Sequence, residues 1–205
     1  MFKKIHWLGH AAFRIDAEKV IYLDPFKIKD GAKKADLILI THGHSDHLSP
    51  EDIVKIATGQ TKFIAPPSCA KKLSGNVTPI TRGQKINVDG FEIQAVPAYN
   101  IGKNFHPESS DNVGYVLTVE GARVYHAGDT DVIPEMKEID ADIALLPCGG
   151  TYTMTGGEAA QAAKLINPKI VVPMHWGSII GSKKDAETMK DLLSSSYDVR
   201  IMGRE

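Results

Sequence analysis

Short apolar runs predict the strands in the first half of the chain. Residues 20–23 and 37–40 are continuous apolar stretches, and Lys62–Ala65 adds a third that stops at two prolines. Runs of this length are typical of strands that are covered on both faces. Residues 4–8 and the alternating positions 13–15 indicate two earlier strands. The first half is therefore predicted to form a sheet with little exposed surface on either face.

Capping patterns predict three helices. Ser49 precedes a proline and two acidic residues, so a helix should begin directly after it. Thr155 has a glutamate three residues later, the spacing of a capping box, and opens an alanine-rich helix. A last helix is predicted over about residues 185–193, with Ser182 as its cap.

The order of the elements indicates stacked sheets with helices outside them. Strands are predicted in the second half at residues 85–96 (two strands that meet at a turn), 114–120, 122–126, 142–146 and 169–174. Strands and helices do not alternate strictly, which argues against a doubly wound βαβ sheet.

The bulk composition is that of a globular protein. The 205 residues are 42% hydrophobic and 24% charged, so we expect one domain over residues 1–205. The net charge of −1 gives no support to a nucleic-acid partner. No apolar run is long enough to insert into a membrane, and Cys69 and Cys148 stand outside any paired motif. We expect a cytoplasmic protein with a small-molecule substrate, and a homo-oligomer is left open.

Residues 41–47, Thr-His-Gly-His-Ser-Asp-His, carry the chemistry. Imidazole and carboxylate groups are unfavourable to bury unless they are paired or bind a metal. His42 and His44 are two residues apart and can face one ion together. Asp46 and His47 follow as the backbone turns, and they can reach a second ion. The spacing favours a two-metal site, whose ions typically lie about 3.5–4 Å apart.

Two further candidate ligands lie far along the chain. Asp129 and His175 each follow an apolar strand and stand in a glycine-containing turn, as His42 does. A carboxylate at Asp129 could bridge two ions, and His175 could complete the second site.

These motifs together resemble the metallo-β-lactamase superfamily. The matching pieces are residues 41–47, Ala-Gly-Asp-Thr at 127–130 and Pro-Met-His-Trp-Gly at 173–177. The resemblance implies an α/β fold, more strictly α+β, in the form of a four-layer αββα sandwich with the metals at one edge of the inner sheets. It also implies the ligands of each metal. His42 and His44 would bind one ion, Asp46, His47 and His175 would bind the other, and Asp129 would bridge the two.

Within the superfamily, the chain resembles the short metal-dependent hydrolases. That group is similar to the ascorbate-6-phosphate lactonases and to the phospholipase D that acts on N-acyl phosphatidylethanolamine. The residues that carry this likeness are Gly-His-Ala-Ala-Phe at 9–13, Pro-Ala-Tyr-Asn at 97–100 and the segment 146–154.

One position departs from the superfamily pattern. A third histidine usually serves the first metal at the end of the strand predicted near residue 97, and here Asn100 stands in that region. His106, in the long polar loop that follows, is the nearest substitute. It is either the missing ligand or a solvated loop histidine.

For several residues near the motifs, the sequence allows more than one role. His10 could contact a metal or the substrate, or pack in a turn, and Asn100 is a further candidate for such a contact. Tyr152 precedes a helix and could touch the substrate. Asp24 could orient a ligand histidine or serve its own turn, and His126 is predicted to bond a ligand carboxylate.

The motifs favour a metal-dependent hydrolase that uses a metal-bound hydroxide on an ester, a lactone or a phosphodiester. Asp46 and Asp129 are the expected catalytic residues. We expect two divalent ions, zinc before manganese, iron or nickel. An iron-dependent oxidoreductase or a nuclease on the same fold is the alternative.

Overall fold

The computed structural model describes all 205 residues, and thirteen strands in it form two sheets. The strands are β1 Ile5–Gly9, β2 Ala12–Asp16, β3 Val20–Leu23, β4 Leu37–Leu39, β5 Lys62–Ala65, β6 Asn76–Pro79, β7 Lys85–Val88, β8 Phe91–Pro97, β9 Val113–Val119, β10 Ala122–His126, β11 Ile143–Pro147, β12 Ile170–Met174 and β13 Asp198–Val199. The helices are α1 Pro50–Ile56, α2 Pro67–Ala70, α3 Gly156–Ile166 and α4 Lys183–Leu193. Two short 3₁₀ helices span Phe2–Lys4 and Pro134–Glu138.

Each sheet combines antiparallel and parallel pairs. The first sheet has the order β1-β2-β3-β4-β5-β6, and the second has the order β13-β12-β11-β10-β9-β8-β7. Strands β3 to β6 run parallel to one another, and so do β10 to β13. Parallel neighbours need a crossover, which α1 supplies between β4 and β5 and α3 between β11 and β12.

Side chains of β4 show why its sequence is apolar throughout. Leu37 and Leu39 face the core between the two sheets, where they join side chains of both. Ile38 and Ile40 face the opposite way and pack with Ile53 of α1. Since α3 and α4 cover the far side of the second sheet, the order of layers is helix, sheet, sheet, helix. The predicted αββα sandwich is confirmed. No helix has both the length and the apolar character that crossing a bilayer requires.

Two strands at the sheet edges were not predicted from the sequence. β6 is almost wholly exposed and β13 has two residues, so neither shows an apolar pattern. The four-residue α2 was also missed, and α4 begins two residues before its predicted start, directly after Ser182.

The carboxylate of Asp52 ties the loop after β3 to α1. It accepts hydrogen bonds from the backbone N–H groups of Lys27 (2.7 Å) and Ile28 (2.9 Å). Ser49 Oγ and Lys55 Nζ also donate to it. Burial raises the pKa of this carboxyl, but the bonds from Ser49 and Lys55 outweigh burial and lower the pKa below its ordinary value. The loop is therefore held by an ionised acid.

We expect Asp52→Asn to lower the free energy of unfolding by about 1–3 kcal/mol at neutral pH, because charge-assisted hydrogen bonds are lost. A lowered native pKa contributes stability above the unfolded value of about 3.9 and loses it as the pH falls through the native pKa. The difference in the free energy of unfolding between wild type and Asp52→Asn should therefore become smaller at acidic pH. Urea unfolding between neutral and strongly acidic pH measures it. Glu51→Gln, at the exposed residue before Asp52, is the control. A loss of unfolding free energy in Asp52→Asn that stayed the same at every pH would show that the ionised carboxylate is not what holds the loop.

Candidate metal centre

The loops that follow β4, β10 and β12 meet at one edge of the sandwich. Two backbone hydrogen bonds join the sheets there: Val113 N–H donates to the carbonyl of Thr41 (3.0 Å), and His175 N–H donates to the carbonyl of His10 (2.9 Å). Residues from both sheets are thereby brought into one site.

Two glycines allow this close approach. Gly128 precedes Asp129 and has φ +63°; a Cβ there would lie 2.9 Å from the carbonyl oxygen of Val113. A Cβ at Gly149 would overlap the carbonyl oxygen of His175. Any larger residue would push Asp129 or His175 out of position.

Three histidines converge as a first group. The Nε2 atom of His42 lies 3.0 Å from Nδ1 of His44, and Nε2 of His106 lies 3.1 Å from the same atom. His42 and His106 are buried, and His44 is exposed. The structure therefore brings His106 from its long loop to the two histidines of the motif.

A second group forms around Asp46. Its Oδ2 atom lies 3.6 Å from Nε2 of His47 and 3.7 Å from Nε2 of His175. His10 also belongs here, because its Nε2 lies 2.8 Å from the same oxygen. The ring of His10 lies close to that of His175, with the centroids 3.9 Å apart and the ring planes tilted by 42°.

Asp129 lies between the two groups. Its Oδ1 is 3.2 Å from Nε2 of His47, and its Oδ2 is 3.1 Å from Nε2 of His175. The same Oδ2 is 3.3 Å from Nε2 of His106 in the first group. One carboxylate thus faces histidines of both groups.

Several of these buried atoms have no hydrogen-bond partner, namely His47 Nε2, Asp129 Oδ1 and both ring nitrogens of His175. Buried polar atoms are nearly always satisfied, so a cluster of orphans needs an explanation. Imidazole lone pairs 3 Å apart also repel unless a proton or a cation lies among them. In each group the potential ligand atoms lie within 4.8 Å of one another. Nitrogen and carboxylate donors in this arrangement fit divalent cations.

Asp24 orients two of the histidines. Its Oδ2 accepts from Nδ1 of His47 (2.7 Å) and from the hydroxyl of Thr41 (2.6 Å), and its Oδ1 accepts from Thr41 N–H (2.8 Å). Since the Thr41 hydroxyl donates to Asp24, it accepts from Nδ1 of His42 at 3.0 Å. Both rings therefore donate a proton from Nδ1, so that Nε2 is the nitrogen that faces a ligand.

Asn100 performs the same task for His106. Its Oδ1 accepts from the backbone N–H (2.9 Å) and from Nδ1 (3.0 Å) of His106, and its Nδ2 donates to the carbonyl of Tyr152 (3.0 Å). Asn100 does not line the cleft. The residue that stands in the expected histidine region thus holds the substitute histidine in place.

The charge states of the groups differ. Burial lowers the pKa of His42 well below its ordinary value, and neighbouring His47 adds to this. Burial opposes protonation of His47 too, but Asp129 and Asp24 outweigh it and raise that pKa well above its ordinary value. Burial raises the pKa of Asp129, yet His175 and His47 hold it well below its ordinary value. A cation would replace the proton that His47 holds in this ion-paired cluster.

The two cysteines are not candidate nucleophiles. Both are free and buried. Burial raises the pKa of the Cys69 thiol to about 11 and also raises that of Cys148. Neither thiol is ionised at neutral pH, and attack requires the thiolate.

A cleft of about 320 Å³ opens onto the two groups. Tyr152, the predicted substrate contact, lines it together with Phe105 and Ile179. The rings of Phe105 and Tyr152 meet edge to face with centroids 4.7 Å apart. Phe105 is 46% exposed and Ile179 50% exposed, which is unusual for large apolar side chains. Neither Phe105 nor Ile179 was predicted from the sequence; the one available signal was their closeness along the chain to His106 and His175.

The predicted role of His126 is wrong. Its Nε2 donates to the carbonyl of Ala11 (2.8 Å), and its Nδ1 accepts from Gly128 N–H (3.2 Å). Its hydrogen bonds link the two sheets and brace the turn before Asp129, and no carboxylate takes part in them.

Comparisons with known proteins agree with this geometry. A family model described as "Beta-lactamase superfamily domain" matches residues 4–175. A UPF0173 metal-dependent hydrolase of Thermococcus onnurineus is 39% identical over 217 residues, which cover 97% of this chain and 96% of the relative. A crystal structure from Parabacteroides distasonis has a TM-score of 0.86 at 41% identity, covering 96% of this chain and 91% of that one. Igni18, a metallo hydrolase from Ignicoccus hospitalis, has a TM-score of 0.82 at 28% identity, with 98% and 94% coverage.

We expect Asp24→Asn to weaken metal binding by about 10–100-fold, as is typical when a group that orients a ligand is replaced. The amide would present N–H to His47 in place of an acceptor, which disfavours the tautomer with a free Nε2. Asparagine tolerates the φ of +45° at this position, so the fold should persist. Competition with a chromogenic chelator gives the affinity, and exposed Asp30→Asn is the control. Unchanged affinity in Asp24→Asn would show that the carboxylate does not orient His47 for a metal.

We expect Asn100→Ala to weaken the metal held by the first group, also by about 10–100-fold. Asn100→Asp keeps the acceptor for His106 and loses only the bond to the Tyr152 carbonyl, so it should bind more tightly than the alanine variant. Metal equivalents retained after dialysis against graded chelator separate the two variants. Equal losses in both would assign the effect to the Tyr152 loop and not to His106.

Proposed function

The chain belongs to the β-lactamase superfamily, among its UPF0173 metal-dependent hydrolases, and we propose that it hydrolyses a small-molecule ester, lactone or phosphodiester at a binuclear centre. The observation that carries the proposal is the position of Asp129. Its two oxygens lie within 3.1–3.3 Å of histidines from both groups, as a bridging carboxylate requires.

The two donor sets support one role for each residue. His42, His44 and His106 would hold one ion, Asp46, His47 and His175 the other, and Asp129 would bridge them. Divalent ions, zinc first and manganese, iron or nickel as alternatives, supply when bound a hydroxide nucleophile at neutral pH and an electrophile for the scissile carbonyl or phosphoryl group.

Asp46 and Asp129 are the proposed catalytic side chains. Asp46 lines the cleft and accepts from His10 through Oδ2. Burial raises the pKa of Asp46, but the hydrogen bond from His10 and the nearby His47 outweigh it, and the pKa is lowered. The group is therefore a carboxylate at neutral pH. It can accept a hydrogen bond from the attacking water and orient that water toward the substrate.

The cleft supports a small substrate with an apolar part. Phe105, Tyr152 and Ile179 offer it an apolar wall, whereas no lysine or arginine lines the cleft. Together with the net charge of −1, the missing basic lining favours a small molecule over a nucleic acid. Two free, buried cysteines are typical of a reducing compartment, and we place the activity in the cytoplasm on that ground.

We expect wild-type protein to retain two metal equivalents and His175→Ala to lose one of them. The variant should also lose at least about 100-fold in kcat/KM, because even outer partners of a ligand are worth 10–100-fold. The measurements are elemental analysis and rates on a panel of esters, lactones, phosphodiesters and lactams. His6→Ala is the control, since His6 bonds Asp16 and Glu205 away from the cleft.

Other outcomes would replace the proposal. Tightly bound iron with visible absorbance and no hydrolysis on the panel would favour the oxidoreductase. Cleavage of RNA or DNA together with salt-dependent binding would favour the nuclease. One metal equivalent in an active wild-type enzyme would overturn the binuclear centre while leaving the hydrolase.

A further inference from the structure

A second cavity, of about 210 Å³, lies behind the metal centre on the other side of His10. The segment after β12 lies between the metal cleft and this second cavity. His175 and Ile179 line the metal cleft, whereas Trp176 and Ser178 line the second cavity. His10 lines this cavity and reaches Asp46 with Nε2. Of the residues in the two metal groups, only His10 lines it.

The cavity is positively charged. Lys27 and Arg204 line it, and no aspartate or glutamate does. The Arg204 guanidinium is oriented by two carbonyls, since Nε donates to Leu8 (2.8 Å) and Nη2 donates to Lys27 (2.9 Å). Its other N–H groups are left for a ligand. Lys27 Nζ donates to the hydroxyl of Ser178 (2.9 Å), which is a neutral partner. An anion would satisfy both cations at once.

His10 adds a buried polar atom without a partner. The side chain is 1% exposed, its Nε2 is engaged by Asp46, and its Nδ1 has no hydrogen bond. Since Nε2 is engaged by Asp46, Nδ1 is the ring nitrogen that is left for a ligand. A hydroxyl group on a ligand would satisfy it. The backbone is held in the unusual left-handed region at both His10 (φ +53°) and Lys27 (φ +51°), as is common around binding sites.

Aromatic side chains make the remaining wall flat and apolar. The rings of Trp7 and Trp176 pack with centroids 4.6 Å apart, and the ring of Phe26 lies 5.8 Å from that of His10. A single aromatic ring has the size and shape that this wall would cover.

We propose that this cavity binds a small anion that carries a flat ring and a hydroxyl group, of the class of hydroxylated aromatic carboxylates. The carboxylate lies between Lys27 and Arg204, the ring packs on the tryptophans, and the hydroxyl forms a hydrogen bond with Nδ1 of His10. The ligand would contact His10, whose Nε2 bonds Asp46 of the metal centre, without entering the metal cleft.

The test uses the fluorescence of the protein itself. Trp7 and Trp176 are the only two tryptophans of the chain, and both line the cavity. The full-length, metal-loaded protein is titrated with 4-hydroxybenzoate at low salt, with N-acetyltryptophanamide in parallel to correct for absorption. We expect a saturable change for 4-hydroxybenzoate. Benzoate should bind several-fold more weakly because it lacks the hydroxyl, and inorganic phosphate more weakly still.

Variants locate the binding. Arg204→Gln and Lys27→Gln should each weaken binding about tenfold or more, since a hydrogen bond to a charged group is lost. Lys164→Gln, on the exposed face of α3, should bind as wild type. Arg204 also braces the carbonyls of Leu8 and Lys27, so its variant is checked by thermal unfolding. Lys27→Gln removes no backbone contact and decides the matter alone if Arg204→Gln does not fold.

The outcomes separate this site from the metal cleft. Absence of saturation in the wild type, or wild-type binding by Lys27→Gln, would overturn the proposal. Binding that both variants retain but that chelation of the metal abolishes would assign the anion to the metals. If inorganic phosphate bound as tightly as 4-hydroxybenzoate, the aromatic ring would have no role in binding. None of these readouts depends on hydrolysis, so they stand whether or not the proposed activity is found.

Discussion

The buried carboxylate of Asp24 is the group on which the geometry of the site depends. It is fully buried at the end of β3, where an ionised acid is unfavourable unless donors surround it. The donors are the backbone and hydroxyl of Thr41 and the ring of His47. The segment after β4 is therefore fixed in one conformation, and through Thr41 the ring of His42 is fixed as well.

The same edge is where the two sheets come closest together. Hydrogen bonds cross between them at Thr41 and at His10, and glycines make room for the turns that carry Asp129 and His175. This closeness leaves buried imidazoles and a carboxylate with unpartnered atoms, which a divalent cation can satisfy together. Metal binding should accordingly stabilise the fold as well as supply the chemistry, since the unfolded chain offers no such site.

The four-layer order was implied by the family resemblance, whereas the motif around His42 and the apolar run before it were sufficient to predict a site and a strand that is covered on both faces. Both follow from local patterns: a run covered on both faces needs neighbours on both sides, and clustered imidazoles need a partner. The edge strand β6 escaped prediction because its side chains are exposed and carry no apolar signal. The prediction for His126 failed because its partner, the Ala11 carbonyl, lies 115 residues away.

The sequence by itself determined which residue types could hold metal and which segments form the inner strands of the sheets, because those properties depend on composition and spacing along the chain. Only the tertiary structure decided how these residues are held. It showed that Asn100 supports His106, that Asp24 serves His47, and that His10 lies between the metal cleft and a cationic cavity. The physical reason is that each of these contacts joins segments distant in sequence, and their distances are set by the packing of one sheet against the other.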